Sequence, residues 1–338
     1  MSLHITSKNQ CINLPKNTTK LFIGPRFNEI LDNVPLGILE INFNSEWNAI
    51  YNKPIHNLPS SVTKLSMNPY FNQPMNDLPI NLKHLHLGLY YNFEFDNLPV
   101  CLESLTVGVL FNQKINLLTC NLRKLDLSNN YLLKCVDDLP NSLRELILPR
   151  EITSELNNLP CHLEILHIQN YNLELNHLPP NLKQLHFAKK SNFRKKLDNL
   201  PLKLEFLCLG TFFNQPINNL PDSIKTLTFC KSSVFNNPIS KFPNNLLHLS
   251  FGNTFNHPID KNLPDGLEML ELGTNFNIFI ERLPTNIKIL KFGKESKFNQ
   301  PIKHFFNHLK LKEIHLGKNF KQKINNSKSS QIKIIKLK

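Results

Sequence analysis

The sequence predicts a solenoid: a curved parallel β-sheet of about 16 short strands, joined by extended or 3₁₀-like return arcs, with little or no α-helix. Three observations predict it. A Leu-Pro pair or a close relative returns every 19 to 24 residues, an L-x-x-L-x-L segment follows each pair, and many of these segments are followed by a Phe-Asn-x-Pro-Ile block. Because so short a unit cannot bury its own apolar edge, the units must stack and share one core.

The proline positions divide the chain into 16 units of about 21 residues. Three of these positions have lost the proline and carry Thr119, His308 and Ser329 instead. We expect residues 1–14 to form an amino-terminal cap, residues 15–326 the repeat array, and residues 327–338 a lysine-rich capping strand. We call all 16 positions Leu-Pro marks. The marks that keep the proline are Pro15, Pro35, Pro59, Pro79, Pro99, Pro140, Pro160, Pro179, Pro201, Pro221, Pro243, Pro264 and Pro284.

The segment after each mark predicts one short strand. In a typical unit it reads Leu82, Leu85 and Leu87, and in the last unit Ile332, Ile335 and Leu337. The last two apolar positions lie two residues apart, which is the period of a strand and not of a helix.

The second block predicts a return path without a regular helix. It occupies residues 71–75, 213–217, 235–239, 255–259 and 298–302. Proline two residues after the asparagine, and again after the next leucine, removes backbone donors and excludes a regular helix.

These motifs together resemble the FNIP-repeat family, a leucine-rich-repeat variant known mainly from social amoebae and giant viruses of amoebae. The resemblance implies a leucine-rich-repeat-like solenoid that recruits other proteins. Members of the family often carry an amino-terminal F-box, but the first mark here is already at Pro15, so we expect a repeat-only relative. The block is lost at Phe193-Arg194-Lys195, where we expect a locally different arc.

An asparagine recurs beside the aromatic residue of the second block. Its amide offers both donors and an acceptor, so we expect a buried asparagine column that satisfies backbone groups of the arcs. The column comprises Asn28, Asn52, Asn72, Asn92, Asn112, Asn172, Asn214, Asn236, Asn256, Asn277 and Asn299.

Composition favours a reduced, cytoplasmic protein without membrane insertion, in the host cytoplasm if the protein is viral. The chain has seven cysteines and no Cys-x-x-Cys pair, and its first residues lack the apolar core of a signal peptide. No stretch approaches the ~20 apolar residues of a spanning helix. We expect a monomer that binds a protein of unknown identity.

Side chains that alternate with the strand leucines are expected on the concave face, where solenoids usually bind partners. Most of these positions are polar. We expect an apolar patch for protein binding, flanked by two histidines, and it comprises Ile147, Ile165, His167, His186, Phe206 and Cys208.

No catalytic, cofactor or metal site is predicted. His167 and His186 are neighbours, but the sequence places no third ligand beside them, whereas zinc needs three or four. Phosphate-binding glycine loops and hydrolase or metalloprotease motifs are missing from the sequence, so we expect no enzyme.

The carboxy-terminal end is strongly basic. Residues 288–338 contain 14 lysines, no arginine and two acidic residues, which gives +12 of the chain's net charge of +13. One interpretation is that lysines protect the last strand against edge-to-edge pairing. The alternative is binding of a polyanion, either nucleic acid or an anionic surface, although the lack of arginine makes nucleic acid the less favoured ligand. The lysines of this alternative are Lys318, Lys321, Lys323, Lys328, Lys333, Lys336 and Lys338.

Overall fold

The computed structural model describes residues 1–7, 9–10, 14–15, 17–43, 45–95, 98–113, 121–131, 133, 136, 139–324 and 332–337. The marks at Thr119 and Ser329 lie outside these residues. The chain forms two compact bodies. The amino-terminal body comprises residues 1–154 and 158–163, and the carboxy-terminal body comprises residues 155–157 and 164–338.

The described part of the amino-terminal body contains eight short strands, each paired in parallel with the next. They are β1 (Ser2–Ile5), β2 (Lys20–Ile23), β3 (Glu40–Phe43), β4 (Lys64–Ser66), β5 (His84–His86), β6 (Ser104–Thr106), β7 (Lys124–Asp126) and β8 (Glu145–Ile147).

The described part of the carboxy-terminal body contains nine strands with the same parallel pairing. They are β9 (Ile165–Ile168), β10 (Gln184–Phe187), β11 (Phe206–Leu209), β12 (Thr226–Phe229), β13 (His248–Ser250), β14 (Met269–Leu272), β15 (Ile289–Phe292), β16 (Glu313–Leu316) and β17 (Lys333–Lys336). A 3₁₀ helix, η1 (Lys303–Asn307), lies between β15 and β16.

The predicted parallel solenoid is confirmed, with 17 strands among the described residues. Equivalent leucines face each other across the strands, as in the register Leu65↔Leu85 and Leu85↔Leu105. Within the described residues, α-helical conformation is confined to residues 9–10. The period-two spacing of the leucines therefore determines both the strands and their register.

The Leu-Pro mark is a tight turn that leads into each strand. The amide of the first strand leucine donates to the carbonyl of the proline three residues earlier, at 2.9 Å for Leu82 and Pro79 and 2.9 Å for Leu102 and Pro99. Proline suits this turn because its φ is already fixed and its own amide is not needed. The mark thus sets where each strand begins.

Stacked aromatic rings fill the side of the core opposite the strands. In the amino-terminal body, the buried rings of Phe27, Tyr51, Phe71, Tyr91 and Phe111 follow one another at centroid distances of 5.9 to 6.3 Å. The carboxy-terminal body repeats this arrangement at 6.0 to 6.4 Å from Phe193 to Phe320. In these units, one large ring therefore fills the space that a helix would otherwise occupy.

The asparagine column forms a hydrogen-bond ladder between neighbouring arcs. The side-chain oxygen of Asn52 accepts the backbone amide of Asn72 at 2.9 Å, and that of Asn92 accepts the amide of Asn112 at 2.8 Å. The predicted pairing with arc backbone is present, but the prediction of a buried column is wrong, since Asn52, Asn72 and Asn92 are exposed. The amide needs only one face against the arc, so its other face remains in solvent.

Loss of the Phe-Asn-x-Pro-Ile block at Phe193-Arg194 changes the local arc less than expected. Phe193 is buried in the ring stack, and the backbone amide of Arg194 still donates to the side-chain oxygen of Asn172 at 2.8 Å. The residue at position 194 contributes its backbone amide to the bond with the preceding unit. Any residue except proline has this amide, so the bond does not require asparagine at position 194.

Glycines after the strands allow adjacent turns to approach closely. A Cβ added at Gly273 would lie 2.0 Å from the carbonyl oxygen of Gly252, whereas one added at Gly293, the equivalent position in the next unit, would meet nothing within 4 Å. The two glycines therefore form a matched pair for testing the packing of the turns.

We expect Gly273→Ala to lower the free energy of unfolding by about 1–3 kcal/mol, because the new methyl group forces backbone apart. Gly293→Ala should change it little or raise it by up to about 1 kcal/mol, through a less flexible unfolded chain. Denaturant unfolding followed by circular dichroism measures both. Equal losses in the two variants would show that the turns are not packed as described.

Candidate partner-binding face

The sheet face of the carboxy-terminal body carries the residues that alternate with the buried leucines. In β9, Leu166 and Ile168 are buried while Ile165 and His167 are partly exposed. The same alternation holds in β10 and β11. The side chains on this face are therefore available to a partner without disturbing the core.

The structure brings five of the six predicted patch residues together. In the parallel register, Gln184 lies opposite Ile165 on one side and opposite Phe206 on the other. Two residues further along the same strands, His186 lies between His167 and Cys208. The aliphatic and aromatic members are thus separated by Gln184 and do not form an uninterrupted apolar patch.

Three rings on this face form a continuous stack. The ring centroids of His167 and His186 are 4.4 Å apart, and those of His186 and Phe206 are 4.6 Å apart. The Nε2 atom of His186 lies 3.0 Å from the side-chain oxygen of Gln184. The two histidines were predicted to flank the patch, but they belong to its central ring stack.

The sixth predicted residue, Ile147, belongs to the other body. It is the last residue of β8 and lies opposite Asp126 of β7 in the parallel register.

Cys208 is a weakly reactive member of the patch. Burial raises the pKa of its thiol, and a hydrogen bond with Thr228 opposes this rise. The thiolate, which is the reactive form, is therefore scarce at neutral pH.

The sheet face of the amino-terminal body is more polar. A shallow depression of about 440 Å³ is lined there by Ser66, His84, His86 and Thr106, among others. Burial lowers the pKa of His86, and the charge of Asp126 acts in the opposite direction. No group of three or more His, Cys, Asp or Glu residues within the described ranges could hold a metal ion.

Five of the seven lysines in the polyanion alternative are described, and they are exposed. Lys318 is already paired with Glu295 at 2.5 Å. Lys333, on the last strand, lies opposite Glu313 in the register. Lys321 and Lys323 follow in the last described arc, whereas Lys328 and Lys338 lie outside the described residues.

The sequence interpretation missed an exposed apolar row on the arcs of the amino-terminal body. It consists of the residues immediately before Tyr51, Phe71, Tyr91 and Phe111, together with Trp47 and Tyr131. The sequence could have revealed this row, since a large apolar residue recurs once per unit in an otherwise polar part of these arcs. The row comprises Trp47, Ile50, Tyr70, Tyr90, Leu110 and Tyr131.

Residues 213–254 and 255–295 match the FNIP Repeat family model. The predicted resemblance to FNIP repeats is confirmed. These residues include three of the Phe-Asn-x-Pro-Ile blocks and strands β12 to β15. A search of the curated proteins found no match.

Solved structures share the leucine-rich-repeat fold with this chain. CroV588, a circular leucine-rich-repeat protein from a giant virus, is 30% identical, with a TM-score of 0.78 over 94% of this chain and 50% of CroV588. The chain therefore spans half the length of that protein. YopM from Yersinia enterocolitica is 20% identical, with a TM-score of 0.52 over 92% of this chain and 83% of YopM, and shows the fold alone.

No helix in the described part of the chain is both long enough and apolar enough to cross a bilayer.

We expect iodoacetamide to alkylate Cys101 faster than Cys208 at pH 8, because Cys101 is exposed while burial raises the pKa of Cys208. Peptide-resolved mass spectrometry of the folded protein over time measures the two rates, and the difference should disappear in denaturant. Equal rates in the folded protein would contradict the partial burial of the Cys208 thiol between neighbouring side chains of the sheet face.

Proposed function

We propose that this protein is a non-enzymatic scaffold that binds another protein on the sheet face of its carboxy-terminal body. The binding centre comprises Ile165, His167, His186, Phe206 and Cys208. The observation that carries the proposal is the stack of His167, His186 and Phe206, whose partly exposed rings form a flat surface on short, rigid strands. Leucine-rich-repeat folds commonly serve as protein-interaction scaffolds.

The surroundings of the stack suit an interface. Thr226 lies beside Phe206 in the register, and Thr228 lies beside Cys208. Hydroxyl groups therefore border the rings on one side, which matches the apolar centre and polar rim of protein interfaces. Strands β10 and β11 are paired on both sides, so the side chains of His186, Phe206 and Cys208 are held in place before a partner arrives.

We further propose that the protein acts as a monomer in the cytoplasm, or in the host cytoplasm if it is viral. The support is its cysteine usage, which lacks a paired pattern.

Substitution of the ring surface by charge should abolish partner binding. We expect Phe206→Glu and Ile165→Glu each to lower the affinity for a purified partner by at least about 30-fold, the loss typical of an interface hot spot. Proximity labelling identifies the partner, and titration calorimetry then measures its affinity. Ile147→Glu, tested separately, shows whether the amino-terminal body contributes.

Met269→Glu is the matched control, because Met269 occupies the equivalent, partly exposed position of β14. Its binding should equal that of the intact chain. Undiminished binding by Phe206→Glu, with an unchanged thermal midpoint, would refute the sheet-face site.

The exposed lysines of the last described arc and strand support one alternative, polyanion binding. This alternative predicts that replacing Lys321, Lys323, Lys333 and Lys336 by Gln abolishes retention on heparin at about 0.15 M salt. Replacing Lys189, Lys190, Lys195 and Lys196 by Gln changes the net charge equally and is the control. Equal retention of both variants, or none by the intact chain, eliminates the alternative.

A further inference from the structure

The exposed apolar row of the amino-terminal body is a second surface, separate from the sheet face. Its members are 38 to 66% exposed, with Trp47 the most exposed and Leu110 the least. The arc backbones beneath it are tied together by hydrogen bonds, among them Tyr90 to Pro69 at 3.0 Å and Leu110 to Leu89 at 3.1 Å. The row is thus fixed on a rigid edge. We call Trp47, Ile50, Tyr70, Tyr90, Leu110 and Tyr131 the arc stripe.

Folding of the repeats does not require apolar residues at these positions. In the carboxy-terminal body the equivalent residue, immediately before the core phenylalanine, is Asn192, Thr254, Asn275, Lys297 or Asn319. Phe212 and Val234 are apolar exceptions, and they are adjacent only to each other. A contiguous series of apolar residues in the amino-terminal body therefore needs a reason other than stability.

The rings of the arc stripe cover part of one another's surface. Tyr70 and Tyr90 stack on each other at 5.2 Å with an interplanar angle of 7°, and Trp47 meets Tyr70 edge-on at 6.4 Å. Sugars and nucleobases bind aromatic residues by stacking on open ring faces, and here the facing surfaces of the two tyrosines are already occupied. Exposed ring edges with hydroxyl groups fit the side chains of a protein.

An arginine stands at each end of the arc stripe. Arg26 occupies the stripe position one residue before Phe27, and the backbone amide of Arg150 continues the arc ladder by donating to Asn130. The Arg150 guanidinium lies 4.8 Å from the ring centroid of Tyr131. Neither arginine pairs with a carboxylate in the described parts of the chain. The stripe between them is uncharged.

We propose that the arc stripe binds a protein segment that carries a row of apolar side chains with a carboxylate group near each end. Six unit spacings separate the two arginines, and on the arc side neighbouring core rings lie about 6 Å apart, so the segment must span roughly 36 Å. The apolar row supplies the buried area, and the arginines select the carboxylates. Two cations over this length are too few for a nucleic-acid backbone, which has one charge per ~3.4 Å of each strand.

Peptide display on the intact protein tests the proposal. Selection from a random 20-residue library should enrich peptides with several aromatic or aliphatic residues and Asp or Glu on both sides. We expect the double variant Tyr70→Asn/Tyr90→Asn to bind these peptides at least 10-fold more weakly in fluorescence polarisation. Asparagine is chosen because it occupies the same position in folded repeats of this chain.

The control is Phe212→Asn, which makes the same kind of change at the equivalent position of the other body and should leave peptide affinity unchanged. Phe206→Glu should also leave it unchanged, which separates this surface from the sheet face. Arg26→Glu/Arg150→Glu should reverse the preference, so that peptides with terminal lysines bind more tightly than those with terminal carboxylates. Tyr131→Asn serves as a second variant if the double variant has a lower thermal midpoint.

Three results would overturn the proposal. The first is selection of peptides that lack the flanking carboxylates, and the second is peptide affinity that is the same for all properly folded variants. The third is binding of chitohexaose or single-stranded poly(U) that depends on Tyr70 and Tyr90, because the stripe would then be a platform for sugars or bases.

Discussion

The scarcity of α-helix in the described return paths is the constraint on which this structure depends. A helix pairs its backbone groups internally, but an extended arc must find partners outside itself. Here those partners are in the adjacent unit: the side-chain oxygen of Asn72 accepts the amide of Asn92, and arc amides such as that of Tyr90 donate to the preceding arc. The same proximity requires glycine at turns such as Gly273, where the backbone of the preceding unit leaves no room for a side chain.

The architecture was predictable because each repeat encodes it independently. Leucines spaced by two define strands, prolines define the turns that precede them, and repetition of both implies parallel stacking. Exposure was harder to predict. The asparagine column was expected to be buried because it recurs beside a core aromatic residue, yet recurrence reports a structural role and not the distance from solvent. Asn52 performs that role from the surface.

The candidate sites show the limits of motif-based prediction in another way. Alternation placed Ile165, Phe206 and the two histidines on one face correctly, but only the register shows that Gln184 lies between the apolar residues and that the rings stack. The arc stripe was missed because its residues lie between motif positions. Tyr70 and Tyr90 are not part of the repeated pattern, and such positions are where the chain can differ from unit to unit.

The arrangement of the stripe has a further implication for how recognition can change. Stripe residues such as Ile50, Tyr90 and Leu110 are anchored through their backbone amides. The side chain at this position makes little contribution to the core, as Asn275 demonstrates. The side chain at the stripe position of any one unit can therefore change with little effect on the stability of the fold. Exchange of individual 20-residue modules can consequently produce new specificities without a compensating change in the interior.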